Sequence, residues 1–142
     1  MTTTVRQILA GRTGVYMVSP DDTIFDALRQ MADKNIGAVL VMSDGAIAGI
    51  VSERDYARKV VLLGRTSKTT PVREIMTDKV LCVGPELTVE DCMGLMTDKR
   101  VRHLPIKDGE RLVGVLSIGD LVKETISEQQ FVINQLESYI NH

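Results

Sequence analysis

One short string occurs twice in the 142-residue chain with its reactive groups intact: Gly49-Ile50-Val51-Ser52-Glu53-Arg54-Asp55 returns as Gly114-Val115-Leu116-Ser117-Ile118-Gly119-Asp120. In each copy an apolar pair leads into a serine, and an aspartate follows three residues later, one turn along a helix that the serine would open. Ser-x-x-Asp approximates a capping box, in which the serine oxygen takes a backbone N–H of the first turn. Capping explains the serine and the acid, but not the glycine three residues upstream. A bound ligand explains all three. A helix N-terminus presents N–H groups and a positive dipole that suit a phosphate, and a serine hydroxyl adds a donor. One carboxylate accepts hydrogen bonds from both hydroxyls of a ribose, and glycine lets a ligand approach the backbone closely.

The elements that carry these strings repeat as well. Shifting the chain by 65 places lays residues 15–55 over 80–120 without a gap, and 11 of the 41 pairs are identical. Upstream, Val5-Arg6-Gln7-Ile8-Leu9 matches Val72-Arg73-Glu74-Ile75-Met76 at a shift of 67, so the first copy holds two extra residues in its 10–14 loop. Each copy reads as one small unit. In the first, a helical turn at 5–9 precedes a strand at 15–18. Ser19-Pro20-Asp21-Asp22-Thr23 then supplies turn and cap chemistry for a helix to about residue 34. Ile24, Ala27, Leu28 and Met31 share one face of that helix. A buried strand at 38–42, a Ser43-Asp44-Gly45 turn and a strand at 46–51 form a hairpin. Ser52 opens a helix to about residue 63. The second copy predicts a strand at 80–83, a helix at 88–99, strands at 103–107 and 111–116, and a helix from Ser117. A β-α-β-β-α unit of this size does not hide all its apolar faces alone, and pairing two copies solves that.

Residues 64–71 read as a polar linker. Gly64-Arg65-Thr66-Ser67-Lys68-Thr69-Thr70 has a passing likeness to a phosphate-binding loop but lacks its second glycine and its strand-then-helix frame. The last helix outruns the repeat. Ile118, Leu121, Val122, Ile126, Ile133, Leu136 and Ile140 keep a helical stripe, interrupted by Gln129. Either this helix folds back over its own module or it forms a dimer contact.

Composition removes several classes of function. Nineteen acidic residues against 17 basic ones argue against a nucleic-acid surface. No apolar run is long enough to span a membrane, and the N-terminus carries no basic-then-apolar secretion signal. Cys82 and Cys92 read as free thiols of a reducing cytoplasm rather than a disulfide or a metal site. No metal-ligand spacing occurs, and neither His103 nor His142 stands near a nucleophile motif, so no catalysis is expected.

Two β-α-β-β-α repeats that each end in Gly-h-h-Ser-x-x-Asp, with h apolar, resemble the cystathionine-β-synthase (CBS) domain family. The resemblance covers roughly residues 5–126, and a tandem pair is known as a Bateman module. It implies an α/β (α+β) fold of two repeats, at 5–63 and 72–126, packed with pseudo-two-fold symmetry, plus a C-terminal extension at 127–142. It also implies a regulatory module with no catalytic cofactor, which forms a homodimer and acts on a separate effector protein. Its ligand would be adenosine-containing: AMP, ADP, ATP, NAD or S-adenosylmethionine, bound in clefts between the repeats. A module that dimerises as a scaffold without any ligand is the alternative.

Carried over by motif position, Asp55 and Asp120 would hold the riboses, and Ser52 and Ser117 would touch phosphate. The family's adenine positions correspond here to Met17, Val18, Ile36, Gly37 and Ala38 in the first copy. In the second they correspond to Cys82, Val83, Val101, Arg102, His103, Leu104 and Pro105. Arg102-His103-Leu104-Pro105 is similar to a basic-plus-His-x-Pro signature of the family. The copies differ in charge: Arg54 faces Gly119 in the alignment, and Arg102-His103 face Gly37-Ala38. The sites are therefore expected to be inequivalent, with phosphate held by Arg54, Arg102 and His103. Arg58 and Lys59 read as solvated helix-face charges or, alternatively, as lining the central cleft.

Overall fold

The computed structural model describes residues 3–12 and 14–141. Two compact units partition the chain: Val15–Leu81, and Met1–Gly14 together with Cys82–His142. Helix α1 (Val5–Leu9) thus folds with the second repeat, and its sequence counterpart around Val72–Glu74, a single 3₁₀ turn, folds with the first. The repeats exchange their lead-in segments.

In the first unit, β1 (Met17–Val18) runs parallel to β2 (Ala38–Ser43), which pairs antiparallel with β3 (Ala46–Ser52). Helix α2 (Ile24–Lys34) lies between β1 and β2 in sequence. Thr23 starts it by accepting the Asp26 N–H, and Asn35 ends it in the left-handed conformation at φ 55°. Ile24, Ala27 and Met31 of α2 meet Val39, Val41 and Val51 of the sheet in one buried cluster, joined by Val60, Val72 and Ile75. Asp44 and Gly45, at φ 52° and 77°, make the tight turn between β2 and β3. Val41 faces Gly49 but Met42 faces Ile47, so Ala48 is an extra residue that bulges β3 beside the motif glycine.

The helix expected to run from Ser52 to about residue 63 is instead a short α3 (Glu53–Tyr56) that widens into a π turn at Ala57–Val61. There the Leu62 N–H reaches back five residues to the Ala57 carbonyl. Val60 of this turn is buried.

In the second unit, α4 (Val89–Lys99) starts from a Thr88–Asp91 capping box and ends at Arg100, also left-handed. Strands β4 (His103–Asp108) and β5 (Arg111–Ser117) form an antiparallel pair with a matching bulge beside Gly114. Helix α5 (Ile118–Ile140) follows as one 23-residue element. Val5, Val89, Met96, Leu104, Ile106, Leu116 and Leu121 are buried, with Cys92 standing where the first repeat has Ala27. Burial pushes the Cys92 thiol up, which makes it a packing group rather than a nucleophile.

The strand expected at 80–83 does not form. Val83 alone bridges to Ile106. In the first repeat the Leu40 N–H donates to the Tyr16 carbonyl at 3.3 Å. Pro105 takes Leu40's place in the second repeat and has no N–H to give.

Each lead-in segment docks by the same bonds. The Val5 and Arg6 N–H groups donate to the Leu87 and Pro85 carbonyls at 2.8 and 2.9 Å. Those of Val72 and Arg73 donate to Asp22 and Pro20 at 2.8 and 3.0 Å. Arg6 also holds Glu86 (Nε–Oε1 2.9 Å), and Arg73 pairs with the equivalent Asp21.

The terminal helix does not fold back over its own module. Leu121 is fully buried, but Ile133, Leu136 and Ile140 are 47%, 57% and 78% exposed, and every described residue from Gln129 onward is exposed. Among the described residues nothing covers the stripe.

Candidate functional site

The two motif acids sit in equivalent frames, one in each unit. In the first unit β2 and β3 set Ala38 opposite Ser52. The Glu53 N–H donates to the Gly37 carbonyl at 3.1 Å, which stitches the start of α3 to the residue before β2. Ser52 Oγ accepts the Asp55 N–H at 3.1 Å, while Asp55 Oδ2 accepts the Ser52 N–H at 2.9 Å and its hydroxyl at 3.1 Å. The box is complete. Ile36, Gly37, Ala38, Ser52 and Asp55 are thereby gathered at one helix start, with exposed Arg54 beside them. Met17 and Val18 lie further along, on β1 against Leu40 and Val41.

In the second unit His103 faces Ser117, and the Ile118 N–H donates to the Arg102 carbonyl at 2.9 Å. Ser117 Oγ accepts the Asp120 N–H at 3.1 Å, and Asp120 Oδ2 accepts the Ser117 N–H at 2.8 Å. Val101, Arg102, His103, Ser117 and Asp120 therefore occupy one helix start. Pro105 pairs with Val115 two residues further along β4, and Val83, with Cys82 before it, touches β4 through its Ile106 bridge.

Two expectations change. The glycines do not hold the backbone open for a ligand: protein fills the space. A Cβ on Gly49 would stand 2.7 Å from Met76 Sδ and 2.7 Å from the Thr77 carbonyl oxygen. One on Gly114 would meet the Leu9 methyls at 3.0 and 3.2 Å. Leu9 and Met76 are counterparts in the repeat, so the glycine is kept for the docked lead-in segment.

Lys59, expected as a solvated or cleft-lining charge, is the second: it stays 44% exposed but pairs with the motif acid. Its ammonium lies 3.5 Å from Asp55 Oδ1 and donates to the Ile75 carbonyl at 3.1 Å. The second repeat has Glu124 at the matching place. Its aspartate takes a cation from elsewhere: Arg12 Nη2 lies 2.9 Å from Asp120 Oδ1, and Nη1 lies 3.3 Å from Oδ2. Burial alone would raise the Asp120 carboxyl, but Arg12 and Ser117 outweigh it and hold it below its ordinary value. Sequence reasoning did not find Arg12. Its signal was present in the two-residue excess of the 10–14 loop.

Both repeats are matched by the family model for the CBS domain, at residues 5–62 and 72–127. The chain belongs to the CBS domain family. Among CBS proteins, it is 43% identical over 125 residues to the CBS domain-containing protein CBSX3, mitochondrial, of Arabidopsis thaliana, covering 84% of this chain and 61% of that protein. It thus spans less than two thirds of that relative's length. A solved structure with CBS domains from Burkholderia ambifaria MC40-6 superposes with a TM-score of 0.85 at 53% identity, covering 89% of this chain and 96% of the other. The hexameric CBS-CP12 protein from bloom-forming cyanobacteria superposes at 0.80 with 28% identity, over 97% and 83% of the two chains. CBS-pair proteins are regulatory, signal-transduction modules. Among the described residues no group of His, Cys, Asp and Glu could hold a metal ion, and no helix is long and apolar enough to cross a membrane.

Proposed function

We propose that this CBS pair is a sensor of an adenosine-containing ligand (AMP, ATP or NAD, with S-adenosylmethionine the cationic alternative) and that it signals to a separate effector protein. The observation that carries the reading is the fixing of both motif acids. In each, one carboxylate oxygen is pinned by the serine backbone at a helix start and the other faces a cation, Lys59 or Arg12. A carboxylate held this way is a preorganised acceptor for a ribose diol. The helix dipole, with Arg54 in one unit and Arg102 and His103 in the other, favours phosphate nearby. Met17, Val18, Ile36, Gly37 and Ala38, and Cys82, Val83, Val101 and Pro105, would receive the adenine. Ligand binding would favour one arrangement of the module over another and so change what the effector meets. The two free thiols support a reducing compartment, which we take to be the cytoplasm.

A thermal-shift panel of AMP, ATP, NAD, S-adenosylmethionine and adenosine tests this reading. A ligand of the native state raises the melting temperature with the logarithm of its excess. No shift with any of the five would favour the scaffold alternative.

The scaffold alternative draws on the terminal helix, and homodimerisation belongs to both readings. Val122, Ile126, Gln129, Ile133, Leu136 and Ile140 are spaced 4-3-4-3-4, the heptad seam of a two-stranded coiled coil. Isoleucine fills the three a positions, and the polar Gln129 at d sets the register. We infer that a second copy covers this seam.

A further inference from the structure

The geometry points to Arg12 as the residue that restricts the Asp120 site to phosphate-bearing ligands; this rests on the ribose role proposed for Asp120. In the fold the guanidinium grips both oxygens of that carboxylate, at 2.9 and 3.3 Å. A ribose diol must take the carboxylate from it. Such a two-point, charge-assisted pair is stronger than the hydrogen bonds of neutral hydroxyls, so the exchange is unfavourable when the arginine gains no new partner. A phosphate supplies that partner, because a guanidinium grips phosphate oxygens in the same two-point fashion. A bare nucleoside does not, and S-adenosylmethionine, whose single carboxylate is outweighed by its sulfonium and ammonium, is a poorer partner than a phosphate.

The loop is built for such a transfer. Arg12 lies between Gly11 and Gly14, at φ 83° and 82°, and its side chain is 45% exposed. The loop is longer by two residues than its counterpart in the other repeat. The equivalent cation at Asp55 is a different device. Lys59 sits on the same helical segment as its acid, makes a single contact at 3.5 Å and is tethered to the Ile75 carbonyl. At the Asp120 site the paired cation is an arginine from a separate loop that can leave with the ligand's anion, which makes the two sites differ in ligand class rather than in affinity alone.

Calorimetric titration of the full chain with AMP and with adenosine, for wild type, Arg12→Gln and Asp120→Asn, tests this. Asp120→Asn identifies which isotherm belongs to the site. At that site the wild type is expected to prefer AMP by tenfold or more. Arg12→Gln is expected to reduce the preference about tenfold, by tightening adenosine and weakening AMP together. Equal weakening of both ligands, or an unchanged ratio, overturns the assignment of Arg12 and leaves the ribose role standing. If wild type binds neither ligand, the ribose role falls and takes this inference with it.

Discussion

Met76 packs over Gly49 so closely that a methyl group on the glycine would stand 2.7 Å from its sulfur. Leu9 stands in the same relation to Gly114, at 3.0 and 3.2 Å. Each contact joins the lead-in segment of one repeat to the motif of the other, within one compact unit. The two contacts differ in what can yield. At Gly49 the backbone oxygen of Thr77 is equally close and is held by the paired Ile50–Thr77 hydrogen bonds at 2.9 Å. At Gly114 the neighbours are the ends of a flexible side chain.

Gly49→Ala is therefore expected to destabilise by about 2 kcal/mol, in the range of overpacked sites, and Gly114→Ala by roughly half as much or less. Leu9→Ala should relieve Gly114→Ala, whereas Met76→Ala should leave most of the cost of Gly49→Ala. Denaturant midpoints of the four single and two double variants measure this. Equal costs at the two glycines would contradict it.

The capping boxes carry stability independent of any ligand. Replacing Ser52 or Ser117 by alanine removes the acceptor for the Asp55 or Asp120 N–H and should cost about 1 kcal/mol each. Urea unfolding measures it. A neutral result at both would mean that the helix starts are held by β2 and β4 alone.

Acid stability follows from Asp120. Burial favours its neutral form, but Arg12 and Ser117 prevail, so the folded carboxyl titrates below its ordinary value of 3.8. A depressed carboxyl contributes stability that is complete above 3.8 and is lost as pH falls through the lower value in the fold. Arg12→Gln leaves burial opposed by Ser117 only, so Asp120 should titrate at higher pH and the variant's stability deficit should shrink below pH 3.8. A carbon-detected NMR titration of the Asp120 carboxyl measures the shift. An unchanged midpoint would contradict the pairing.

The α5 seam predicts a dimer that depends on its isoleucines. Ile126→Glu with Ile133→Glu places charge in the seam of both copies and should reduce the solution mass from two chains to one. Wild type and variant are to be compared by light scattering, with AMP titrated into both. A wild type of one chain, or a variant still of two, would contradict the seam. Nucleotide binding should survive the change, because Asp55 and Asp120 lie outside it.

The duplication, the helix caps and the hairpins were readable from the sequence because each rests on local chemistry: Thr23 and Thr88 as caps, Asp44-Gly45 as a turn, the 3.6-residue stripe through Ile24 and Met31. What was not readable depends on partners distant in sequence. Val80 to Val83 have a strand-like pattern, yet Pro105, over twenty residues away, withholds the N–H that would have bonded the Leu81 carbonyl. A shift of 67 shows that Leu9 and Met76 are alike, but not that each serves the other repeat. Asp55 and Asp120 were identifiable by their motif. Arg12 was not, because its role appears only when the loop meets Asp120 in space.

The proposal that both motif acids hold a ribose is tested most directly by calorimetric titration of AMP into wild type and into the Asp55→Asn, Asp120→Asn double variant. Asparagine keeps an oxygen to accept the Ser52 and Ser117 N–H groups but removes the charge that a diol requires. Saturable binding to wild type is expected, with at least a hundredfold loss in a double variant that stays folded by circular dichroism. Equal affinity in the two would contradict it.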